Sequence, residues 1–426
     1  MTDQELTRRP AAALKDLLFY LLLTGLSFVF FAAVRNNPFW QPSDYLYLLK
    51  ALQVERSASE LFVTAPLMDF QPLVNAIFYL EFRWFGDNPA GYYVFNLVIH
   101  SLNGFLVYRT VFTLLKDRTI AMMSGLLFLF AVGNYGKAVM AASSVEDLII
   151  TTLTLMTLWL FFRNELKNGG RLGTISFAGA LFFFILSVFS KSTSFSILGC
   201  ILAFNLFFRA ETGRKVFSRS FFVVAGCALV ALVLKFSLSG GIPGSEDFGV
   251  PVHTFIKNYA SYLVRMVFPI QSSDSVRHAV PVVRFVYNLA TEIRIITFLC
   301  ILSYSVFGFI FGNRAIRFFI AWTYITVTPF CFFKFPSGWF NIRYLYLVSI
   351  GFVMILASGT VLASRLLYEK AWRRFLPYLI PLYFVLLSQF IIQNLDKNYE
   401  QLAGHSRLDA IRAQFEEQYR ERQNGG

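Results

Sequence analysis

Carboxylates and cations at the ends of long apolar segments are the residues best suited to chemistry in this sequence. Asp44 follows Pro42 and Ser43, a pattern typical of a helix start, so its carboxylate should lie in the first turn, where the helix dipole favours the ionised form. Beside the aromatic residues of this segment, such a carboxylate could act as general base for a hydroxyl acceptor. It could equally only stabilise its own helix, and the segment does not decide between these interpretations.

Further carboxylates are open to two interpretations. Glu146 and Asp147 begin an apolar segment, where they could orient an acceptor or stabilise the first turn of a helix. Asp69, in the segment MDFQPL, has the same ambiguity. No histidine or cysteine has the spacing of a metal site, so no cofactor is certain, and a divalent metal stays an open alternative.

Basic residues near the same ends of the apolar segments could form an anion site. They are Lys50, Lys137, Lys191, Lys334 and Arg343. Taken singly, each is typical of a side chain that extends to the membrane surface. Several of them converging would suit a lipid phosphate or diphosphate, but the sequence does not show convergence.

Asn96, His100 and Asn103 follow one another at i, i+4 and i+7, so they lie on one face of a predicted helix. Polar side chains inside a bilayer face the protein interior. They could line a substrate cavity, or they could form hydrogen bonds that hold neighbouring helices together, and the second interpretation is favoured.

The elements that must position these residues are transmembrane helices. Of the 426 residues, 56% are hydrophobic and 15% charged, and the mean hydropathy is +0.56, whereas soluble domains are about 25% charged. Apolar segments about as long as a bilayer core is thick recur along the chain. The sequence predicts an all-α polytopic membrane protein with about eleven transmembrane helices, at roughly 16–34, 91–115, 119–135, 145–162, 173–190, 194–208, 220–238, 293–312, 318–335, 344–364 and 376–393.

The net charge of +13 is explained by membrane topology. Short loops rich in Lys and Arg alternate with long loops that have few, which predicts a cytoplasmic N-terminus and long extracytoplasmic loops. Nucleic acid is therefore not needed as a partner. No Asn-x-Ser/Thr sequon occurs, which favours a prokaryotic cytoplasmic (inner) membrane.

The two long extracytoplasmic loops, about 36–90 and 239–292, are predicted to carry amphipathic helices at the membrane interface. Trp40, Tyr45, Tyr47 and Trp84 would anchor the first loop there. Residues 1–393 are predicted to form one transmembrane module, and residues 394–426 a short polar extracytoplasmic tail.

Three segments resemble one enzyme family. Residues 69–108, DFQPLVNAIFYLEFRWFGDNPAGYYVFNLVIHSLNGFLVY, resemble a stretch of the integral-membrane GT-C glycosyltransferases, nearest to the protein O-mannosyltransferases and their tetratricopeptide-bearing relatives. VFSKSTSFSILGCILAFNLFF and NIRYLYLVSIGF are similar to later elements of that group in the same order. The resemblance covers roughly residues 36–365, and the order and spacing of the motifs carry it.

The resemblance implies sugar transfer, with inversion, from a polyprenyl-phosphate- or polyprenyl-diphosphate-linked donor to an extracytoplasmic acceptor: a glycan, a lipid or a protein. It implies that Asp44 is the general base. Lys191 and Arg343 are implied to bind the lipid phosphate, with Lys334 as a third candidate, and Glu146 or Asp147 to orient the acceptor. Asp69, Asn96 and His100 are candidates for positioning the acceptor or lining the cavity.

The chain departs from the family pattern at three positions. Ser43 stands where a paired acid is common, Gln71 replaces an arginine, and Tyr93 replaces a histidine. Two alternatives follow: a catalytically inactive relative, or a lipid-linked saccharide flippase or other transporter. A transporter should show inverted repeats and broken spans in matching positions, and the sequence has no such repeat.

Overall fold

The computed structural model describes residues 3–64, 70–131, 136–213, 215–239, 250–267, 290–333, 342–367, 371–387 and 406–425. The α-helices of these ranges are α1 (Asp3–Phe30), α2 (Pro42–Arg56), α3 (Pro72–Phe85), α4 (Pro89–Leu115), α5 (Arg118–Phe130), α6 (Gly136–Met140), α7 (Val145–Lys167), α8 (Ile175–Val188), α9 (Ser196–Thr212), α10 (Arg219–Ser239), α11 (Val252–Val267), α12 (Ala290–Phe311), α13 (Arg314–Cys331), α14 (Leu345–Leu366) and α15 (Ser406–Gly425). Short 3-10 helices connect several of them, among them Ala142–Ser144, Ser192–Phe195 and Ile342–Tyr344.

Seven segments of the described ranges are long and apolar enough to cross a bilayer. They are Ala13–Phe30, Pro89–Leu115, Ala142–Lys167, Ser192–Thr212, Arg219–Leu238, Glu292–Phe311 and Leu345–Leu366. Two other predicted spans correspond to α5 and α8, apolar helices of 13 and 14 residues, which are only about 20 Å long against a bilayer core of about 30 Å. Another corresponds to α13, which is not among the seven. The predicted span at 376–393 lies partly outside the described residues, so the polytopic helical architecture is confirmed and the count of about eleven is not.

The centre of the bundle is α4, which packs against α1, α5 and α7. Its contact with α5 is close because glycines face each other: a Cβ added at Gly125 would lie 2.8 Å from the Gly104 carbonyl oxygen. Small residues permit this approach between membrane helices. At the periphery, the apolar window of α12 has no buried residue, as expected of a helix that faces lipid.

A layer formed by α2, α3 and α15 covers one end of the bundle. Phe415 of α15 is 4% exposed and packs on Tyr45 of α2, with ring centroids 6.0 Å apart. Arg422 at the end of α15 binds Glu55 of α2, with Nε 2.7 Å from Oε2. The polar tail and the first long loop therefore share one face of the bundle. That this face is extracytoplasmic stays a prediction.

The predicted membrane anchors of the first loop are wrong for three of the four residues. Trp40, Tyr45 and Tyr47 are 6%, 7% and 3% exposed, because α2 is enclosed between the bundle and α15. The Trp40 indole N–H donates to the Met140 carbonyl at 2.8 Å instead of meeting a membrane surface. Trp84, by contrast, is 69% exposed.

The opposite end of the bundle is held by ion pairs between helix termini. Arg365, at the end of α14, binds Asp117, the residue before α5, with Nη1 and Oδ2 2.6 Å apart. Arg109 near the end of α4 and Arg118 at the start of α5 both bind Asp16 of α1. These ion pairs hold the ends of α1, α4, α5 and α14 together. They lie at the end of the bundle opposite to the α2–α3–α15 layer.

Candidate functional site

Asp44 joins α2 to the segment that leads into α7. Its Oδ2 accepts hydrogen bonds from the backbone N–H groups of Gln41, at 3.0 Å, and Trp40, at 3.2 Å, because Gln41 is the N-cap residue and Pro42 begins the helix. Its Oδ1 accepts from the backbone N–H of Ser143 at 2.8 Å. The side chain is fully buried. The carboxylate thus caps its own helix and also holds α2 against residues 142–144.

Burial determines the protonation chemistry of Asp44. Removal from water raises the pKa of this carboxyl above its usual value, while the hydrogen bonds from Ser143, Gln41 and Trp40 oppose that rise. A raised pKa makes the carboxylate a stronger proton acceptor than an exposed aspartate. The helix-stabilising role of Asp44 is therefore visible in its contacts, and its role as general base stays a prediction.

Lys191 and Arg343 converge on two adjacent carboxylates. The Lys191 ammonium donates to Glu146 Oε1 at 2.8 Å and to Asp147 Oδ1 at 2.7 Å. Arg343 approaches the same residues, with Nη2 3.1 Å from Glu146 Oε1 and Nε 3.4 Å from Asp147 Oδ2. The four side chains are between 7% and 16% exposed. They form a nearly buried group of two cations and two anions, called the ion cluster below.

Three elements position the ion cluster. The two carboxylates lie in the first turn of α7, where the helix dipole favours negative charge. Lys191 lies in the turn between α8 and α9, as the N-cap residue of Ser192–Phe195. Arg343 lies in the 3-10 helix Ile342–Tyr344 directly before α14. Residues far apart in sequence meet because these turns all lie at the same end of the bundle.

The neighbouring negative charges affect the pKa values of Lys191 and Arg343 more than burial does. Burial alone would lower the pKa of the Lys191 ammonium, but Asp147 and Glu146 raise it above its usual value. The same balance, with Glu146 contributing more than Asp147, raises the pKa of the Arg343 guanidinium. Both side chains are therefore charged at neutral pH, as the binding of a phosphate would require.

Tyr47 connects the ion cluster to the helix that carries Asp44. Its hydroxyl donates to Glu146 Oε2 at 2.7 Å and accepts a hydrogen bond from the Gln71 side-chain amide. Burial, followed by the negative charge of Glu146, raises the pKa of this phenol well above its usual value, so it stays a proton donor. Tyr47 follows Asp44 by three residues, which places the two on neighbouring positions of one helix face.

Tyr344 contributes an aromatic face to both cations. Its ring centroid lies 5.4 Å from Lys191 Nζ and 5.6 Å from Arg343 Cζ. Cation–π contacts at this distance are favourable when the cation is withdrawn from water. The ring therefore adds a favourable contact to each cation beside those with Glu146 and Asp147.

A narrow cleft adjoins the ion cluster. Its polar lining comes from Asp147, Thr151, Thr193, Arg343 and the tyrosines 344 and 346. Only about 10 Å³ is open to the centre of a water molecule, which is the space that about one water needs. A sugar would have to move side chains in order to enter.

Asn96, His100 and Asn103 hold helices together. The Asn96 amide donates to the Ala141 carbonyl at 3.0 Å, and the Asn103 amide donates to the Leu148 carbonyl at 3.0 Å. The His100 ring bonds through Nδ1 to the Tyr346 hydroxyl, at 2.7 Å, and through Nε2 to the Leu129 carbonyl, at 3.0 Å.

All three side chains are fully buried. Neither Asn96 nor His100 lines the cleft. Their contacts match the interpretation as interhelical hydrogen bonds, and His100 contacts Tyr346, which lines the cleft.

The other predicted cations and acids do not join the ion cluster in the described part of the chain. Lys50 is 3% exposed and binds Glu60 at 2.9 Å. Asp69 and Lys334 lie outside the described residues, as does the side chain of Lys137. Their proposed roles stay predictions.

All three departures from the family pattern have defined contacts. Gln71 donates to the Tyr47 hydroxyl, so an uncharged side chain supports Tyr47 here. The Tyr93 hydroxyl donates to the Pro38 carbonyl at 3.0 Å and holds the segment before α2. At the third position, the Ser43 and Ser143 hydroxyls are hydrogen-bonded at 2.8 Å.

Tyr47, Gln71, Ser143 and Tyr344 were not predicted as site residues. Tyr47 could have been found from its i+3 spacing to Asp44, and Tyr344 from its position next to Arg343. The contact between Ser143 and Asp44 joins residues 99 positions apart. No local sequence pattern indicates such a contact.

The donor set of the ion cluster does not suit a divalent metal. The Glu146 and Asp147 carboxylates are already neutralised by Lys191 and Arg343, whose positive charges would repel a metal ion. Among the described residues, no group of three or more His, Cys, Asp or Glu side chains could hold one.

Comparisons with known proteins return distant structural neighbours. No protein-family model matches the chain, and no curated protein matches its sequence. The structure is similar to the archaeal oligosaccharyltransferase AglB from Archaeoglobus fulgidus in complex with an inhibitory peptide and a dolichol-phosphate, at 14% identity and a TM-score of 0.49 over 88% of this chain and 56% of that one. The apo form of the Archaeoglobus fulgidus oligosaccharyltransferase gives 15% identity, the same TM-score and the same coverage. The chain spans a little over half the length of these neighbours, and similarity at this level assigns no activity.

Proposed function

We propose that the chain transfers a sugar, with inversion, from a polyprenyl-phosphate-linked donor to an acceptor hydroxyl on the extracytoplasmic face of a prokaryotic inner membrane. The observation that carries the proposal is the convergence of Lys191 and Arg343 at one end of the bundle, directly beneath the α2–α3–α15 layer. The ion cluster is neutral as a whole, so a lipid phosphate would compete with Glu146 and Asp147 for the two permanently charged cations. The order of family-like motifs in residues 36–365 supports the same class of reaction.

The carboxylates of the ion cluster have a definite part in this proposal. Glu146 and Asp147 hold both cations in place before the donor binds, so little ordering is needed on binding. Asp147 also lines the cleft beside Thr151 and Thr193, where it can orient an acceptor hydroxyl.

Asp44 is proposed to take the proton from the acceptor hydroxyl as its oxygen bonds to the anomeric carbon of the sugar. The bond between that carbon and the phosphate oxygen breaks in the same step, and the polyprenyl phosphate leaves. Burial raises its pKa and so strengthens it as a base. Tyr47 and the Ser143 backbone fix α2 relative to the ion cluster, so the base and the cations would keep a constant separation.

The proposal is tested with purified protein in proteoliposomes that contain labelled polyprenyl-phosphate sugars. With candidate glycan, lipid and protein acceptors added, we expect acceptor-dependent loss of the label from the lipid. Arg343→Ala should abolish most of this loss. The matched control Lys50→Ala, which removes a buried cation that binds Glu60 outside the ion cluster, should keep it. Movement of intact lipid-linked sugar across the bilayer without cleavage would instead establish a transporter.

A further inference from the structure

An apolar groove lies at the opposite end of the bundle from the ion cluster. It is a largely open surface groove of about 500 Å³ between α1 and α4, and ligand-binding pockets measure about 300–1,000 Å³. Its walls are Leu17 and Tyr20 on α1 and Leu102 and Phe105 on α4. These residues recur at helical spacing and therefore form one continuous apolar face on each helix.

Charged residues close one end of the groove. Asp16 and Arg109 line it and bind each other, and Arg118 Nη2 lies 3.4 Å from the other oxygen of Asp16. The Tyr108 hydroxyl also donates to Asp16, at 2.7 Å. Two guanidinium groups thus share one carboxylate, which leaves this end of the groove with net positive charge.

The surroundings add to the positive charge. Lys15 is exposed next to Asp16, and Lys116 lies two residues before Arg118. Asp117, the acidic residue between Lys116 and Arg118, is bound by Arg365. The Arg109 and Arg118 side chains are 28% and 37% exposed, so neither is fully buried while it binds Asp16.

We propose that this groove binds one anionic phospholipid of the surrounding leaflet. An apolar groove with Arg109 at one end, and with Arg118 next to it on the same carboxylate, is complementary to an acyl chain that ends in a negatively charged headgroup. Basic pockets between transmembrane helices bind anionic lipid headgroups in this way. In the predicted topology the groove lies in the cytoplasmic leaflet, where anionic lipids are abundant. The lipid would brace α1 against α4 and α5, far from the ion cluster, so this site is independent of the proposed function.

The test uses the delipidated full chain in detergent, with phosphatidylglycerol or phosphatidylcholine added as the probe. Native mass spectrometry should show one tightly retained phosphatidylglycerol per chain and no comparable retention of phosphatidylcholine. The midpoint temperature of thermal unfolding should rise when phosphatidylglycerol is added and should not rise with phosphatidylcholine. Free glycerol phosphate, which has the headgroup charge but no acyl chain, should not compete.

Matched variants separate the headgroup contacts from the groove. Arg118→Gln should weaken phosphatidylglycerol binding about fivefold, the effect of about 1 kcal/mol from one membrane-surface cation. Arg109→Gln should weaken it at least as much. Leu17→Trp keeps every charge but fills the groove at a position that is 52% exposed, and it should also reduce binding. The control Arg314→Gln removes an arginine that binds Glu211 and does not line the groove, and it should bind phosphatidylglycerol like the wild type.

Three results would overturn the proposal: equal retention of both lipids, unchanged binding by the Arg118→Gln variant, or unchanged binding by the Leu17→Trp variant. The last result would mean that surface charge alone attracts the headgroup. Each variant's unfolding midpoint without lipid reports whether it folds. If Arg109→Gln does not fold, the other two variants still decide the question.

Discussion

Replacement of Lys191 by methionine should separate the structural role of the ion cluster from its role in donor binding. The change keeps an unbranched side chain that ends one atom short of the lysine ammonium, and it removes the charge that binds Glu146 and Asp147 at 2.8 and 2.7 Å. Arg343 would then be the remaining cation beside two nearly buried carboxylates in the described structure. Removing one partner of a buried ion pair costs about 3–5 kcal/mol, so the unfolding midpoint in detergent should fall markedly.

A second substitution tests whether the stability lost in the Lys191→Met variant is electrostatic in origin. Glu146→Gln on its own leaves an excess of positive charge, but combined with Lys191→Met it restores neutrality. The double variant should recover stability, with a coupling energy above about 1 kcal/mol between the two positions. Lys50→Met is the matched control, because Lys50 is similarly buried and binds Glu60 away from the ion cluster.

Donor binding should behave differently from stability. A charge-assisted contact to phosphate is worth about 1.5–3 kcal/mol, so loss of Lys191 should raise the apparent Michaelis constant for the donor roughly ten- to a hundredfold. The double variant should regain stability without regaining donor affinity. If it regains both, Lys191 is a structural residue, and if Lys191→Met changes neither, the reasoning about the ion cluster is refuted.

Three further predictions concern the α2–α3–α15 layer. Glu81 is 1% exposed, and neither of its oxygens has a hydrogen-bond partner among the described residues. Burial raises its pKa well above its usual value, so its stabilising effect is complete below its unfolded-state pKa and is lost as pH rises towards its folded-state pKa. Glu81→Gln should accordingly gain stability over the wild type by about 1.4 kcal/mol per pH unit in that window, measured by unfolding at several pH values, and a constant difference would contradict this. Phe415→Ala should destabilise the protein by about 3–5 kcal/mol and expose α2 to limited proteolysis, since it empties a buried ring site, whereas an unchanged midpoint would mean that α15 does not support α2. In a cysteine-free background, Ser57→Cys and Arg420→Cys should react with an impermeant thiol reagent in intact cells. Arg171→Cys should react only after the membrane is permeabilised. The reverse pattern would show that the predicted topology is inverted.

Some features of the fold could be predicted because they depend on local sequence. Pro42 and Ser43 indicated the start of α2, and the structure begins the helix at Pro42. The spacing of Asn96, His100 and Asn103 indicated one helix face, and all three are buried between helices. The structure has shorter helices, α5 and α8, where spans were predicted at 119–135 and 173–190. Hydropathy alone does not determine where a helix ends.

The site itself was less accessible to sequence reasoning. Lys50 and Lys191 are both cations near one face, yet only Lys191 reaches Glu146 and Asp147, while Lys50 binds Glu60. Which cation joins the cluster depends on how α2, α7 and the turn before α9 pack. The aromatic residues Trp40 and Tyr45 suggested membrane anchors, because sequence does not reveal that α15 covers α2.

Single-turnover sugar transfer by the Asp44→Asn variant tests whether transfer occurs where α2 meets the ion cluster. The variant loses the proton acceptor, so transfer should slow by about 10²–10⁴-fold while donor binding stays unchanged. Ser43→Ala is the control, because it removes the 2.8 Å hydroxyl contact between α2 and Ser143 but keeps the carboxylate. It should transfer sugar at nearly the wild-type rate. A folded Asp44→Asn protein with near-native transfer would contradict the account.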